Sequence, residues 1–486
     1  MRAFLASLTL RTTLSLQIQR RATTMVNVVD IEDAYKTYAL RDAAAITKDL
    51  LKWWDRGHRS MPWRRESTEP VSAAERTTWA YRVWVSEVML QQTQVSRVAP
   101  YFERWMAKWP DVHALAAAPE EDVQALWSGL GYYRRCKFLR EGAAALAAPG
   151  AQWPTTRADW LKVKGVGPYT AAAVSSIVYG EACPVVDGNV VRVVSRLAAC
   201  GVAPSSTVGA KLWWRLAAQL VPADATRPGD ANQAMMELGA TVCTKANPAC
   251  GDCPVKATCA THERGEDPAR YPAAEAKAKP VKVAVAALVL QTERLGKTVF
   301  ALAKPAGKDA SAFRSDAGLY ELPAVRLGAP DPTPAQLDAA LDAALDGARR
   351  GGARRDAEVV LARTRAAKAV AHSITSTRYA VTVERLVLRA DPDDFDVVWL
   401  DAADLATRAT SSLVAKALKA ALVGAAPAKK RQAPPKGAAP KKAPRVVPIA
   451  AEAVPIAASE GFSVAPGSPR PFASFAFAPD DDEVAA

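Results

Sequence analysis

The chain has 486 residues, 50% of them apolar and 23% charged, a globular composition long enough for two or three domains. Seven cysteines are too few for a disulfide-stapled secreted fold, no secretory signal is present, and no apolar run reaches the roughly 18 residues of a membrane span, so a soluble protein is expected. The net charge of +13 sits unevenly, with four arginines and no acid in 1–29, seven basic residues and no acid in 426–445, and −5 over 446–486. What remains on the body is modestly basic, which suits a nucleic-acid partner without demonstrating one.

Residues 1–30 are transit-peptide-like. Up to Met25, arginines are spaced among Leu, Ser and Thr, the composition of a mitochondrial leader; the alternative is an upstream extension with Met25 as a second start. From 39 to 264 apolar residues recur at helical spacing, in 40–54, 83–107, 120–148, 170–180, 187–199, 208–221 and 231–240, with Pro or Gly at most joints. Residues 65–79 break that pattern and read as a surface loop. A polar linker is expected over 265–280.

The pattern changes over 281–424, which reads as a small α+β domain. Strand candidates at 281–292 and 297–305 flank Arg294-Leu295-Gly296 as a hairpin; 331–350 is helical, 377–389 and 395–401 are strands, and 401–422 is helical again. From 425 to 486 a Pro/Ala/Lys-rich basic tract runs into an acidic end, too poor in apolar residues to pack a core, and is expected to be disordered. Lys429-Lys430-Arg431 through Arg445 read as a nuclear signal or a nucleic-acid contact, so the two ends point to mitochondrion and nucleus respectively. Phe472, Phe475 and Phe477 do not match a clamp-binding box, and docking of a replication or repair partner there is a secondary reading.

Cysteine spacing is the strongest single signal. Cys243, Cys250, Cys253 and Cys259 form C-x6-C-x2-C-x5-C, close enough along the chain to wrap one metal centre, and zinc or a 4Fe-4S cluster would both accept four thiolates. Cys136, Cys183 and Cys200 have no such grouping and read as buried small apolar residues. The second signal is Gly165-Val166-Gly167 followed by Pro168. A Gly-x-Gly turn between two helices lets backbone N–H groups approach a phosphate oxygen, gripping a DNA backbone without reading sequence; an ordinary interhelical turn is the alternative.

The glycine hairpin, Val186-Asp187-Gly188-Asn189 and the four cysteines, in that order, resemble the helix-hairpin-helix DNA glycosylases that carry an iron–sulfur cluster. Pro62-Trp63-Arg64, the run Trp84 to Val95, Trp127-Ser128-Gly129-Leu130-Gly131-Tyr132-Tyr133 and Asn232 to Ala240 narrow the resemblance to the adenine DNA glycosylases of the MutY family. The resemblance covers about residues 45–262 and implies a mainly α glycosylase domain whose four cysteines hold a 4Fe-4S cluster. Its implied substrate is adenine mispaired with 8-oxoguanine in duplex DNA, hydrolysed at the N-glycosidic bond by a monomer. Endonuclease III-like relatives carry a Schiff-base lysine where this chain has Tyr169, so a monofunctional enzyme is expected; a thymine- or uracil-mismatch glycosylase of the same fold, or an endonuclease III-like glycosylase, is the alternative.

By the same resemblance Glu87 protonates adenine and later handles the water, Asp187 stabilises the sugar cation with Asn189 orienting it, and Tyr169 assists. The plain readings are a surface carboxylate for Glu87 and a helix N-cap for Asp187. Arg64 and Glu237 resemble contacts to the extruded adenine, with an ion pair at the pocket rim as the alternative. Gln92 and Tyr132 resemble side chains inserted in the duplex when the base is flipped. Trp54 and the other paired tryptophans read as core, and His58 has no partner pattern. The region 281–424 resembles the NUDIX-like domain that reads 8-oxoguanine, with Gly318-Leu319-Tyr320-Glu321-Leu322-Pro323 where the family has Gly-Leu-Trp-Glu-Phe-Pro. No glutamate-rich Nudix box follows, so nucleotide hydrolysis is not expected. The family's Phe-Ser-His loop aligns with Ile374-Thr375-Ser376; Thr375 keeps a donor for the lesion, while the final histidine is missing and His372 lies four residues too early.

Overall fold

A computed structural model describes residues 31–65, 71–275, 279–305, 311–313, 319–349, 360–374, 376–389, 395–408 and 410–423. The leader-like segment, the tail with its basic and phenylalanine motifs, and Thr375 lie outside the described residues. Among the described residues no helix is long and apolar enough to cross a membrane. The described residues divide into two compact units, one within 31–113 and 142–275, the other within 114–141 and 279–423. Residues 114–141 therefore leave the continuous 39–264 domain expected from sequence, because their side chains bond to residues far along the second unit (below).

The helices used here are α1 (Ala43–Arg56), α2 (Ala73–Leu90), α3 (Val95–Lys108), α4 (Glu120–Trp127), α5 (Arg134–Leu146), α6 (Pro168–Tyr179), α7 (Gly188–Leu197), α8 (Thr207–Ala218), α9 (Pro228–Thr241), α10 (Pro334–Ala348) and α11 (Ser412–Val423). Two expected runs are each broken into two helices, 83–107 at Gln91–Gln94 and 120–148 after Trp127. The expected 65–79 loop is helical from Ala73. Ser72 caps it: its Oγ accepts from Glu75 N at 3.3 Å while the Glu75 carboxylate accepts from Ser72 N at 2.9 Å, a reciprocal box that satisfies two otherwise free donors.

In the first unit one core joins α1, α7, α8 and α9 through Leu50, Trp54, Val194, Leu197, Leu212, Trp213 and Leu238; Cys243, Cys253 and Cys259 pack against it. Helix α2 is buried on all sides from Val83 to Met89, the pattern of a central helix rather than a surface one, and it packs on α6. α6 in turn packs on α9, and α9 on α7. Gly239 makes that last approach close: a Cβ there would lie 2.7 Å from Asn189 Cβ.

The second unit is a mixed sheet between helices, the α+β class expected for a NUDIX-like domain. Its strands are β1 (Val281–Arg294), β2 (Lys297–Leu302), β3 (Ala324–Arg326), β4 (Val360–Arg365), β5 (Val370–Ile374), β6 (Thr377–Leu388) and β7 (Val398–Leu400), in the order β4-β6-β1-β2-β7, with β3 on β1 and β5 on β6. β1 and β6 run parallel, Val281 opposite Thr377 through Gln291 opposite Val387; the other pairs are antiparallel. Val283, Val285, Ala287 and Val289 face α11, and Ala286, Leu288 and Leu290 face α10. Burial on both faces explains why β1 reads as an unbroken apolar run. β1 and β2 form the expected hairpin, with Leu295 in the left-handed region at its turn.

Candidate active site

One wide cleft of the first unit is lined by α2, the α6 and α7 N-termini, α9 and the loop after α1. Glu87, Gln92, Arg64, Gly165, Gly167, Tyr169, Asp187, Asn189 and Glu237 all line it, so most residues singled out from sequence meet at one place. Tyr132 belongs to the second unit and is 47% exposed.

Glu87 projects from the buried helix α2 and is 5% exposed, which rules out the plain surface reading. The Tyr169 hydroxyl donates to Glu87 Oε2 at 2.5 Å and lies 3.4 Å from Met236 Sδ. Burial, reinforced by the charge of Asp187, pushes the Glu87 carboxyl up to about 7, against the Tyr169 hydrogen bond and the charge of Arg64. The same burial, with Glu87 and Asp187 beside it, holds Tyr169 well above the ordinary phenol value, so it is a donor here and not a base.

Asp187 is an N-cap and a cleft residue at once. Its Oδ1 accepts from Asn189 N at 2.9 Å and Val190 N at 2.7 Å, and its Oδ2 from Asn189 Nδ2 at 2.7 Å. Desolvation nevertheless raises it above the usual carboxylate range, outweighing those three donors and Arg192. Arg192, one turn along α7, fixes Asn189 by donating to its Oδ1 at 2.8 Å, and also donates to the carbonyls of Gly239 at 2.6 Å and Cys243 at 2.8 Å.

Glu237, 2% exposed, closes another wall. Arg59 grips it with two bonds, Nε to Oε1 at 2.5 Å and Nη2 to Oε2 at 3.0 Å, and Arg64 Nη2 reaches Oε2 at 2.9 Å. Burial pulls the carboxyl upward, but the hydrogen bonds and charges of both arginines outweigh it and leave Glu237 below the usual range. The alternative reading, an ion pair, is present, with Glu237 buried, Arg64 mostly covered and Arg59 exposed at the rim. Arg59 was not singled out from sequence; its place five residues before Arg64 carries no helical or strand periodicity to flag it. Trp54, expected as core alone, also lines the cleft, with Arg64 4.8 Å above its ring and His58 stacked on it at 3.9 Å. The signal for that stack was present in sequence, since His58 stands four residues after Trp54.

The glycine turn bears on the cleft edge. Gly165 takes φ +79°, which favours glycine, whereas Gly167 has φ −97° and a Cβ on it would meet nothing within 4 Å. Packing within the chain thus gives no reason for glycine at 167.

Cys243, Cys250, Cys253 and Cys259 are unpaired, half-buried and gathered around one small cavity walled by Val193, Leu197, Leu238 and Val255. Arg196 Nη1 lies 3.3 Å from Cys243 Sγ and also donates to the carbonyl of Thr244 at 2.7 Å. Burial, then mutual repulsion among the sulfurs, raises the Cys253 thiol to about 12. Four thiolates in this pocket therefore need a compensating cation. Among the described residues no three Cys, His, Asp or Glu side chains are grouped to hold a single metal ion. Four sulfurs around one cavity are a donor set that suits a thiolate-ligated metal group. Cys136, Cys183 and Cys200 are buried, as expected.

In the second unit, Ile374 pairs with Thr377, which puts Ser376 in the tight turn between β5 and β6 where the lesion loop was aligned. His372 sits half-buried in β5 opposite Tyr379, its basicity lowered by burial and by Lys416.

Residues 85–217 match the profile of the HhH-GPD superfamily base excision DNA repair proteins. Curated proteins similar to the chain include adenine DNA glycosylases. That of Arabidopsis thaliana is 36% identical over 388 residues, 74% of this chain and 59% of the relative. The human one is 48% identical over 245 residues, 49% of this chain and 44% of the relative, and that of Mycolicibacterium smegmatis 42% over 209 residues, 43% and 66%. The chain thus spans between 44% and 66% of the length of these relatives.

Proposed function

We propose that the protein is a monofunctional adenine DNA glycosylase that hydrolyses the N-glycosidic bond of adenine paired with 8-oxoguanine in duplex DNA. One observation carries the reading: a buried carboxyl poised near neutrality, Glu87, shares a cleft with a second carboxylate, Asp187, that three donors hold in place. Glu87 in its acid form gives its proton to the imidazole-ring nitrogen of adenine. The C–N bond then breaks with its electron pair leaving on the base, and the sugar becomes an oxocarbenium ion facing Asp187. The Asp187 carboxylate, kept aimed by Asn189, stabilises that cation. Water adds to the sugar carbon, and the Glu87 carboxylate takes its proton, restoring the acid. Tyr169, with no amine, forms no Schiff base, and strand cleavage is not expected.

Arg64, Glu237 and Arg59 bind the extruded adenine, Gln92 and Tyr132 fill the duplex around the lesion, and Gly165, Val166 and Gly167 hold the DNA backbone. Thr375 contacts 8-oxoguanine. The four cysteines hold a 4Fe-4S cluster, which when bound anchors the loop that receives Arg192 and Arg196. Purified protein should then be yellow-brown with about four irons per chain; stoichiometric zinc without iron would refute the cluster. Action in nucleus, mitochondrion or both follows from the basic segments at the two ends. The deciding assay is base release from duplexes with adenine opposite 8-oxoguanine, compared with thymine or uracil opposite guanine. Release of the pyrimidines alone would overturn the assignment.

A further inference from the structure

Tyr132 takes φ +49°, a backbone pose a tyrosine rarely adopts unaided. Part of what holds it is local. Trp127 Nε1 donates to the Gly131 carbonyl at 3.0 Å, and Arg135 donates to the same oxygen at 3.2 Å with its guanidinium 5.4 Å from the rings of both Trp127 and Tyr132.

The rest comes from far along the same compact unit. Glu121, in the first turn of α4, accepts from Arg408 Nη1 at 2.8 Å, from the Tyr320 hydroxyl at 3.3 Å and from Lys304 Nζ at 3.4 Å. At the other end of the segment the Thr410 carbonyl accepts from the Tyr133 hydroxyl at 3.2 Å and Ser128 Oγ at 3.4 Å. A backbone bridge between Tyr320 and Thr410 ties the two anchor points together. Tyr320 stands where the resemblance expects tryptophan, and here its hydroxyl reaches Glu121.

We propose that Glu121 and Tyr133 are positioning residues for the Tyr132 wedge, through which Arg408, Tyr320, Lys304 and Thr410 set how the duplex is opened at the lesion. This rests on the reading of Tyr132 as an inserted side chain. The C-terminal α+β segment then has two tasks: reading the base opposite adenine and holding the wedge that distorts the duplex.

The test uses the full-length protein carrying both Glu121→Gln and Tyr133→Phe. Affinity is measured at one fixed salt concentration on a duplex with adenine opposite 8-oxoguanine, together with the fluorescence of 2-aminopurine placed beside the lesion. Loss of these hydrogen bonds should weaken affinity about tenfold and reduce the unstacking signal. Single-turnover release at saturating protein should stay within about twofold, because Glu87 and Asp187 belong to the other unit. Arg408→Gln should act in the same direction less strongly, and Arg408→Lys should restore most of the loss. Unchanged affinity and fluorescence would overturn the proposal. A parallel fall of affinity, rate and thermal midpoint would also overturn it, by showing a merely structural role. Wild-type protein that releases no adenine would sink the adenine glycosylase reading instead, while the affinity and fluorescence arms still decide the wedge.

Discussion

Two buried glutamates in one cleft are driven in opposite directions. Glu87 on α2 and Glu237 on α9 are both nearly inaccessible, and desolvation pushes both carboxyls up. Glu87 has a phenol as its nearest donor and a second acid in the neighbourhood, so burial wins and the proton is held to about 7. Glu237 has two guanidiniums, so charge wins and the proton is lost. Burial alone does not decide a protonation state; the partner does. One wall of the cleft can thus donate a proton while another presents a fixed anion, a few turns of helix apart in the same fold.

The contrast breaks most directly at Glu87. Glu87→Gln keeps the shape but removes the proton, and single-turnover adenine release should fall at least about 100-fold with mispair affinity largely retained. Near-normal release would end its assignment as the acid.

Next come two isosteric changes with opposite effects on stability at pH 8. Glu237 has a depressed carboxyl, so it stabilises the fold above the unfolded-state value and loses that contribution as pH falls; Glu237→Gln should cost about 2 kcal/mol in urea unfolding at pH 8 and less in acid. Glu87 is raised, from 4.5 to about 7, so the folded state is penalised as pH rises through that window. Glu87→Gln should therefore be more stable than wild type by about 1–3 kcal/mol at pH 8, with the difference vanishing below about pH 4.5. Equal signs for the two variants would show that the partners do not control the proton.

The smallest effect sharpens the comparison. Release needs protonated Glu87, so its rate should decline as pH rises through about 7. Tyr169 donates to the ionised form, and Tyr169→Phe should move that decline to higher pH, read from single-turnover rates across a pH series. A decline moved to lower pH would mean that the phenol favours the protonated acid.

The cleft was legible through short, ordered motifs, most directly where a residue is placed by a local turn or cap. Asp187 shows why: its capping bonds go to the next two or three residues of α7, a relation that sequence spacing displays directly. Arg59 was missed because its partner Glu237 is 178 residues away, and nothing in either neighbourhood announces the pair. The helical start at Ala73 was missed although Ser72 and Glu75 hold the spacing of a capping box, since the polar residues around them drowned the periodicity. Among the strands, β1 was legible as a doubly buried apolar run, whereas β4 and β5 were not. Both are short, contain no buried residue, and owe their form to pairing with β6.

The division of the chain also bears on how it is made. The contact between Glu121 and Arg408 joins residues 287 positions apart. A ribosome adding about 5–20 residues per second leaves residues 114–141 without their distant partners for roughly 15–60 s. During that interval the flanking stretches of the first unit, before 114 and after 141, are already available to each other. The segment bearing Tyr132 thus waits for its distant anchor until residue 408 has been made.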